Sequence, residues 1–279
     1  ANPAVSTASV AFGNVHVGDV LGAQTLSVTN LAKSNAAYQD ALAITASSGN
    51  GKVTVTGAGT LAAGNAAQTL TLTPSVAAAG SLAGNLTLGL TSTAQAGTNL
   101  DNKAFADSIV AITGAAYDYA KPGYSTATLD FGNVRVGASP AAQTVAFTNA
   151  AVTDANYQEG LKVVATGAAG KFTASGFDSL AAGAGTANVT VSALTAAAGS
   201  LDGNVALALT SLAKAGSNLT DSNLTAGSLT VTGAVYDYAN PAVSTASVAF
   251  GNVHVGDVLG AQTLSVTNLA KSNAAYQDA

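Results

Sequence analysis

The sequence predicts an all-β protein made of tandem β-sandwich modules with about seven strands each. Three observations carry this prediction: the chain repeats itself at a fixed interval, apolar and polar residues alternate with a period of two, and glycine-containing turns separate the alternating segments. Each of the three recurs at matching positions in successive copies, which argues against a chance pattern.

An internal repeat of 119 residues organises the chain. Residues 1–41 recur unchanged at 239–279, an offset of 238 residues, and a diverged copy lies halfway between them. A unit of this length can bury a core of its own. We therefore predict a β-sandwich module A over 1–120, a related module B over 121–238, and the first strands of a further, incomplete copy of module A over 239–279.

Period-two alternation predicts the strands and their buried faces. In the segment 24–29, Leu26 and Val28 share one face, and Val145 and Phe147 hold the same positions in the second copy. Gly and Asn between such segments suit tight turns. The strand candidates of the first copy are 9–12, 24–29, 42–45, 52–56, 69–73, 86–91 and 109–117. Turns at this spacing are typical of an immunoglobulin-like β-sandwich.

Composition excludes several classes of function. Charged residues make up 8% of the chain and the net charge is −5, with nine Lys and Arg scattered singly, so no nucleic-acid partner is expected. The chain has no cysteine, which excludes disulfides, thiolate metal sites and cysteine nucleophiles. No apolar run reaches the roughly 18 residues of a membrane-spanning helix. We therefore expect no membrane insertion in this segment.

Residues suited to catalysis or metal binding are few and scattered. His16 and His254 are the same repeat position, and Arg135 holds that position in the second copy. A catalytic or metal-binding histidine would not be expected to exchange with arginine, so we interpret His16 as an exposed strand position. Glu159 is the sole glutamate, which rules out a glutamate pair for acid/base chemistry. We predict no enzyme activity, no cofactor and no metal site.

Each complete copy ends in a Tyr-Asp-Tyr-Ala segment that a proline follows closely, and we place the module junctions there. Proline fixes φ and removes a ladder donor, which suits a boundary between sandwiches. So short a connection predicts a stiff rod. We expect the tyrosines to pack across the junction, with a ligand shelf or a calcium site as alternatives. The predicted junction residues are Tyr117, Asp118, Tyr119, Pro122, Tyr236, Asp237, Tyr238 and Pro241.

A phenylalanine precedes a Gly-Asn turn in every copy. The pattern can be interpreted as a binding loop, but a phenylalanine at this place more often anchors a strand end in the core. We therefore predict that Phe12, Phe131 and Phe250 are core anchors. Truncation of such an anchor to alanine typically costs about 3 to 5 kcal/mol of stability.

Several segments of each copy resemble a known family. The sequences SVAFGNVHVGD at 9–19, AQTLSVTN at 23–30, LTPS at 72–75, AGSLAGNL at 79–86 and TGAAY at 113–117 are similar to choice-of-anchor D domains of large bacterial surface proteins, relatives of Hydin-like immunoglobulin-fold modules. The resemblance covers essentially the whole of each copy, although Pro74 becomes Ala193 in the second. It implies extracellular display and no catalytic chemistry.

These observations together predict a structural repeat unit of a bacterial extracellular fibre, stalk or adhesin. A spacer needs many copies, whereas catalysis needs one good site. The expected partners are neighbouring modules of the same protein and, through edge strands, other copies of the chain. Residues 239–279 cannot close a sandwich alone. In a longer chain, further residues would complete the fold; if the chain ends there, these strands could be added to another chain and build a filament. The alternative is a carbohydrate- or protein-binding surface module.

Overall fold

The computed structural model of the chain describes residues 1–125 and 128–279 and consists almost wholly of β-strands and turns. It confirms the predicted fold class, because two β-sandwiches follow one another along the chain and each encloses its own apolar core. Among the described residues, no helix is long and apolar enough to cross a membrane.

The first sandwich contains strands β1 to β11. One sheet has the order β1-β3-β7-β5 and the other the order β2-β11-β9-β4-β6, with β8 on β11 and β10 on β9. Strands β2 and β11 pair in parallel. The strands are β1 Pro3–Val5, β2 Ser9–His16, β3 Gln24–Asn30, β4 Ala41–Ser48, β5 Val53–Thr56, β6 Gly59–Leu61, β7 Gln68–Pro74, β8 Gly80–Ser81, β9 Gly84–Thr93, β10 Lys103–Ala104 and β11 Ser108–Tyr117.

The second sandwich repeats this topology with strands β12 to β22. Its sheets have the orders β12-β14-β18-β16 and β13-β22-β20-β15-β17, with β19 on β22 and β21 on β20. The strands are β12 Pro122–Tyr124, β13 Leu129–Arg135, β14 Gln143–Asn149, β15 Gly160–Thr166, β16 Phe172–Ser175, β17 Phe177–Leu180, β18 Ala187–Ala193, β19 Gly199–Ser200, β20 Gly203–Leu212, β21 Ser222–Asn223 and β22 Gly227–Tyr236.

The third copy forms only a small antiparallel pair. Strand β23, Pro241–Val243, pairs with β24, Val266–Asn268. A single-turn 3-10 helix follows β3, β14 and β24, at Ala36–Tyr38, Ala155–Tyr157 and Ala274–Tyr276. An Asn or Asp side chain accepts the N-terminal hydrogen bond of each turn, which explains why the turn forms at this place.

The seven predicted strands of the first copy are present, and four short ones accompany them. Strands β1, β6, β8 and β10 contain two or three residues each. Segments of this length show too little alternation to be recognised from sequence. They form because neighbouring long strands offer unpaired backbone groups at their edges.

The buried faces follow the predicted alternation. Leu26 and Val28 of β3 are buried, and so are Val145 and Phe147 of β14, which confirms the predicted faces. Across each sandwich they meet the apolar faces of the second sheet, such as Leu86 of β9 in the first copy. Each core is thus one continuous apolar layer between two sheets.

The phenylalanines before the Gly-Asn turns differ in their burial. Phe12 is 7% exposed and Phe131 is 8% exposed, and each belongs to the core of its sandwich. Phe250, which lies in the partial third copy, is 53% exposed, and its role as a core anchor stays a prediction. The reason is that 239–279 holds counterparts of the first strands of module A only, and the strands that cover Phe12 have no counterpart there.

A bulge at Gly114 shapes the parallel pair of β2 and β11. The register shifts between Thr113 and Ala115, where Gly114 adopts φ +139°. A Cβ atom at Gly114 would lie 2.6 Å from the carbonyl oxygen of Gly13, so no larger residue fits without a shift of the backbone. The bulge lies three residues before Tyr117, the last residue of β11, and carries the strand onward to the junction with the next copy.

Candidate inter-module junctions

Two surfaces recur in every complete copy and meet between successive copies. We call the surface at the ends of the parallel strands β2 and β11, or β13 and β22, the end face. The surface formed by the single-turn helix and the residues just after it is the start face. The end face of one copy contacts the start face of the next, which creates an A–B junction near residue 119 and a B–A′ junction near residue 238.

Backbone hydrogen bonds connect the two sandwiches at the A–B junction. The amide of Asp118 donates to the carbonyl of Tyr157 at 2.9 Å, and the amide of Glu159 donates to the carbonyl of Asp118 at 3.0 Å. Asp118 thereby forms a parallel bridge with Gln158. The carboxylate of Asp118 also accepts a hydrogen bond from the Thr153 hydroxyl at 2.7 Å. The connecting segment is therefore bonded to module B rather than free.

A buried ion-pairing group lies beside this bridge. His16 Nε2 lies 2.9 Å from Glu159 Oε1, and Ser211 Oγ donates to Glu159 Oε2 at 2.6 Å. The His16 side chain is 10% exposed and that of Glu159 is fully buried. An ionised carboxylate only accepts hydrogen bonds, so an ionised Glu159 requires the proton on Nε2 of His16. The interpretation of His16 as an exposed strand position is wrong, since the next module covers the strand end on which it lies.

Aromatic rings complete the A–B junction. The ring of Tyr119 stacks on the imidazole of His16 with centroids 4.0 Å apart. Tyr117 packs against Tyr157 at 5.6 Å. Burial, and then the neighbouring Tyr157, raise the pKa of Tyr117 above its usual value, so the phenol stays neutral at physiological pH. Tyr117 thus contacts Tyr157 of module B, whereas Tyr119 stacks on His16 of its own module.

The B–A′ junction repeats this plan with different side chains. The amide of Asp237 donates to the carbonyl of Tyr276 at 2.8 Å, and the amide of Asp278 donates to Asp237 at 3.1 Å. Arg135 Nη1 lies 2.5 Å from Asp278 Oδ2. The Arg135 guanidinium also lies over the ring of Tyr238, 4.6 Å from its centroid. In both junctions a basic residue of the end face therefore contacts a tyrosine and a carboxylate.

The basic and acidic partners change together between the junctions. His16 and Glu159 are 143 residues apart, and so are Arg135 and Asp278, because both pairs occupy equivalent repeat positions. Asp278 raises the pKa of Arg135 by its hydrogen bond, which keeps that side chain charged. The Arg135 side chain is 41% exposed, so solvent screens its ion pair more than it screens the buried pair at the A–B junction.

A polar clamp holds the start face in position. Asn149, which is 1% exposed, donates from Nδ2 to the carbonyls of Glu159 and Leu180. The side chain of Gln158 donates to Asn149 Oδ1 and to the carbonyl of Ala150. These bonds fix the loop after β14, so Glu159 meets the preceding module at a defined position.

The prolines of the junction segments belong to the following copy, whereas the aspartates lie at the contact between copies. Pro122 and Pro241 begin β12 and β23 and face Asn149 and Asn268 across the edge of a sheet. The prolines therefore begin the first strand of the following copy and do not pack between the two copies. Asp118 and Asp237 are each 8% exposed and take part in the backbone bridges.

The arrangement of the buried polar residues does not suit catalysis. Glu159 lies between Ser211 and His16, whereas a serine nucleophile needs the histidine at its own oxygen. Ser211 Oγ also accepts the amide of Ala120 at 2.7 Å, which occupies it structurally. Within residues 1–125 and 128–279, no group of three or more His, Asp or Glu side chains converges as a metal site would require.

Sequence reasoning missed the acidic half of each pair. Glu159 and Asp278 belong to the start face, at a distance from the Tyr-Asp-Tyr segment that marks the boundary. One signal was available: the change from His to Arg at positions 16 and 135 is accompanied by a change from Glu to Asp at positions 159 and 278. A correlated change of this kind points to contact.

Comparisons with known proteins show distant likeness in solved structures. The D00-D0 domain of intimin is 16% identical, with 81% of this chain and 98% of that chain covered and a TM-score of 0.31. The E. coli chaperone DraB is 11% identical, with coverage of 82% and 97% and a TM-score of 0.28. The zebrafish RET cadherin-like domains 1 to 4 are 10% identical, with coverage of 84% and 51% and a TM-score of 0.24.

No protein-family model and no curated protein matches the sequence. The resemblance to choice-of-anchor D domains therefore rests on the sequence segments themselves. TM-scores of this size do not establish superposable architectures.

Proposed function

We propose that this chain is a structural repeat unit of an extracellular fibre, stalk or adhesin on a bacterial surface, in which the modules act as spacers in series. The observation that carries the proposal is the repeated junction. At both boundaries a parallel backbone bridge, a basic–acidic pair and a tyrosine packed on the basic group join successive copies. Contacts that recur at a fixed interval of sequence serve the spacing of modules and not the chemistry of one site.

The residues of the junctions support a stiff connection. A flexible linker leaves its backbone groups to water, whereas Asp118 uses its amide, carbonyl and carboxylate in bonds to module B. Each sandwich also has a separate core, so rigidity comes from the junction itself. A stalk needs this property, because a free hinge at every module would shorten its reach.

A distance measurement between the modules tests this proposal. Thr54 on β5 and Thr173 on β16 are exposed equivalent positions, and the chain has no cysteine of its own. With both replaced by spin-labelled cysteine, pulsed electron resonance is expected to give one narrow distance distribution. The matched control is the same pair in the chain with His16→Ala, for which we expect a broader distribution. A broad distribution in the unmodified junction would contradict the spacer function.

We also propose that residues 239–279 can assemble chains into filaments by strand donation. These residues repeat residues 1–41 without a change, so they carry the side chains that module A buries; Val266, for example, holds the position of the fully buried Val28. Another chain could therefore accept 239–279 in place of its own identical segment 1–41, at the same register in its core.

Light scattering of the 279-residue chain over a range of concentrations tests strand donation. The expected result is a mass that increases with concentration, together with a smaller increase when Val266→Ser weakens the donated strand. The equivalent change in the accepting module, Val28→Ser, is not a suitable control because it damages the core. A monomeric mass at every concentration would eliminate strand donation and leave the serial spacer function intact.

A further inference from the structure

The start face of the first module is equivalent to two surfaces that a preceding end face covers. Tyr38 holds the repeat position of Tyr157 and Tyr276, which are partly buried against the tyrosines of the preceding end face. Residues 38–40 have the same sequence as residues 276–278, which module B contacts. The surface at 38–40 therefore has the chemistry of a surface already seen in contact.

The polar framework of this face is already assembled. Ser92 Oγ donates to Asp40 Oδ2 at 2.9 Å, and the amino group of Ala1 contacts Ser92 Oγ. At the A–B junction, Ser211 holds Glu159 through Oε2 in the same way, and Oε1 faces the basic residue. By equivalence, the second oxygen of Asp40 is the atom that receives a base. Ala1, Asn35, Tyr38 and Asp40 border a concavity of about 310 Å³ at this place.

We propose that matched side-chain lengths decide which end face a start face accepts, so that an A-type start face selects the end face of a B-type module, as at the B–A′ junction, over that of an A-type module. The proposal rests on the serial arrangement of modules proposed above, and it adds the order in which A-type and B-type modules follow one another. The occupant is thus an end face with an arginine at the position of Arg135 and tyrosines at those of Tyr236 and Tyr238. Its positive charge complements Asp40.

Side-chain length supplies the selectivity. At the A–B junction a short base, His16, meets the long acid Glu159, and at the B–A′ junction the long base Arg135 meets the short acid Asp278. An A–A contact would combine His with Asp and leave a gap between them. A B–B contact would combine Arg with Glu and crowd the interface. Both wrong combinations still join a basic to an acidic side chain, so size and not charge distinguishes the partners.

Two extended chains test the proposal. In one, a copy of residues 120–238 precedes residue 1; in the other, a copy of residues 1–119 does. In both, the added junction has the native connection, because Ala1, Ala120 and Ala239 are equivalent. Spin labels at Thr54 and at the equivalent position of the added module report on the new junction. Labels at Thr54 and Thr173 report on the native A–B junction in the same chains.

We expect a narrow distance distribution when module B precedes module A and a broad one when module A precedes module A. Asp40→Glu should reverse this result. The distance distribution of the A–A junction should become narrow and that of the B–A junction broad. Asp107→Asn, which removes one negative charge from an exposed position of the same module, should change neither distribution.

Equal distributions at the B–A and A–A junctions, or no effect of Asp40→Glu, would overturn the proposed selection by length. That result is distinct from failure of the spacer function. If the Thr54–Thr173 distribution of the native junction stays narrow, only the inference about the start face at Asp40 fails. If that distribution is also broad, the spacer function itself fails.

Discussion

His16→Ala is expected to open the A–B junction at a cost of about 3 to 5 kcal/mol. The substitution removes the group that faces Glu159 and leaves a carboxylate that is fully buried in the native structure without its basic partner. Ser211 still donates to the other carboxylate oxygen, but one neutral hydrogen bond does not replace the interaction. Glu159 can regain hydration only if the two modules separate locally.

Hydrogen exchange at the Glu159 amide measures this opening directly, because that N–H donates across the junction to Asp118. At about 1.4 kcal/mol per tenfold, exchange should accelerate roughly 100-fold or more. His254→Ala is the matched control, since the side chain of His254 is 99% exposed and makes no contact with a second module in this structure. Unchanged exchange at Glu159 in His16→Ala would show that the pair does not hold the junction closed.

Phe12→Ala is expected to destabilise module A by about 3 to 5 kcal/mol, because it leaves a large cavity between two sheets. Phe12 is 7% exposed and lies in the core with residues from both sheets. The bulge that brings Gly114 against Gly13 also restricts how far the backbone can relax to fill the space. The decrease in the free energy of unfolding of module A should therefore fall in the upper part of the usual range for such substitutions.

The identical local sequence around Phe250 supplies the control for this prediction. Phe250→Ala removes the same atoms from a side chain that is 53% exposed, so the stability of the sandwiches should change by about 0.5 kcal/mol or less. Hydrogen exchange of β3 amides under native conditions separates module A from module B, which a single denaturation curve of a two-module chain does not. Equal losses for the two substitutions would contradict the assignment of Phe12 to the core.

The candidate junctions show where sequence reasoning reached its limit. The Tyr-Asp-Tyr segments could be placed at the boundaries because they recur at the end of each copy and precede a proline. His16 could not be paired with Glu159, because the two lie 143 residues apart and neither stands in a local motif. An isolated histidine on an alternating strand has the same pattern whether it faces water or the next module.

The sequence by itself determined the module length, the strand faces and the fold class. These features are local or periodic: alternation assigns Leu26 and Val28 to one face whatever lies opposite, and the repeat interval needs no structure to measure. The tertiary structure alone decided which of these surfaces are covered. His16 lies on an alternating strand whose pattern would suit an exposed residue, yet module B covers it. Burial depends on the strands packed across a residue, and those strands come from distant parts of the chain.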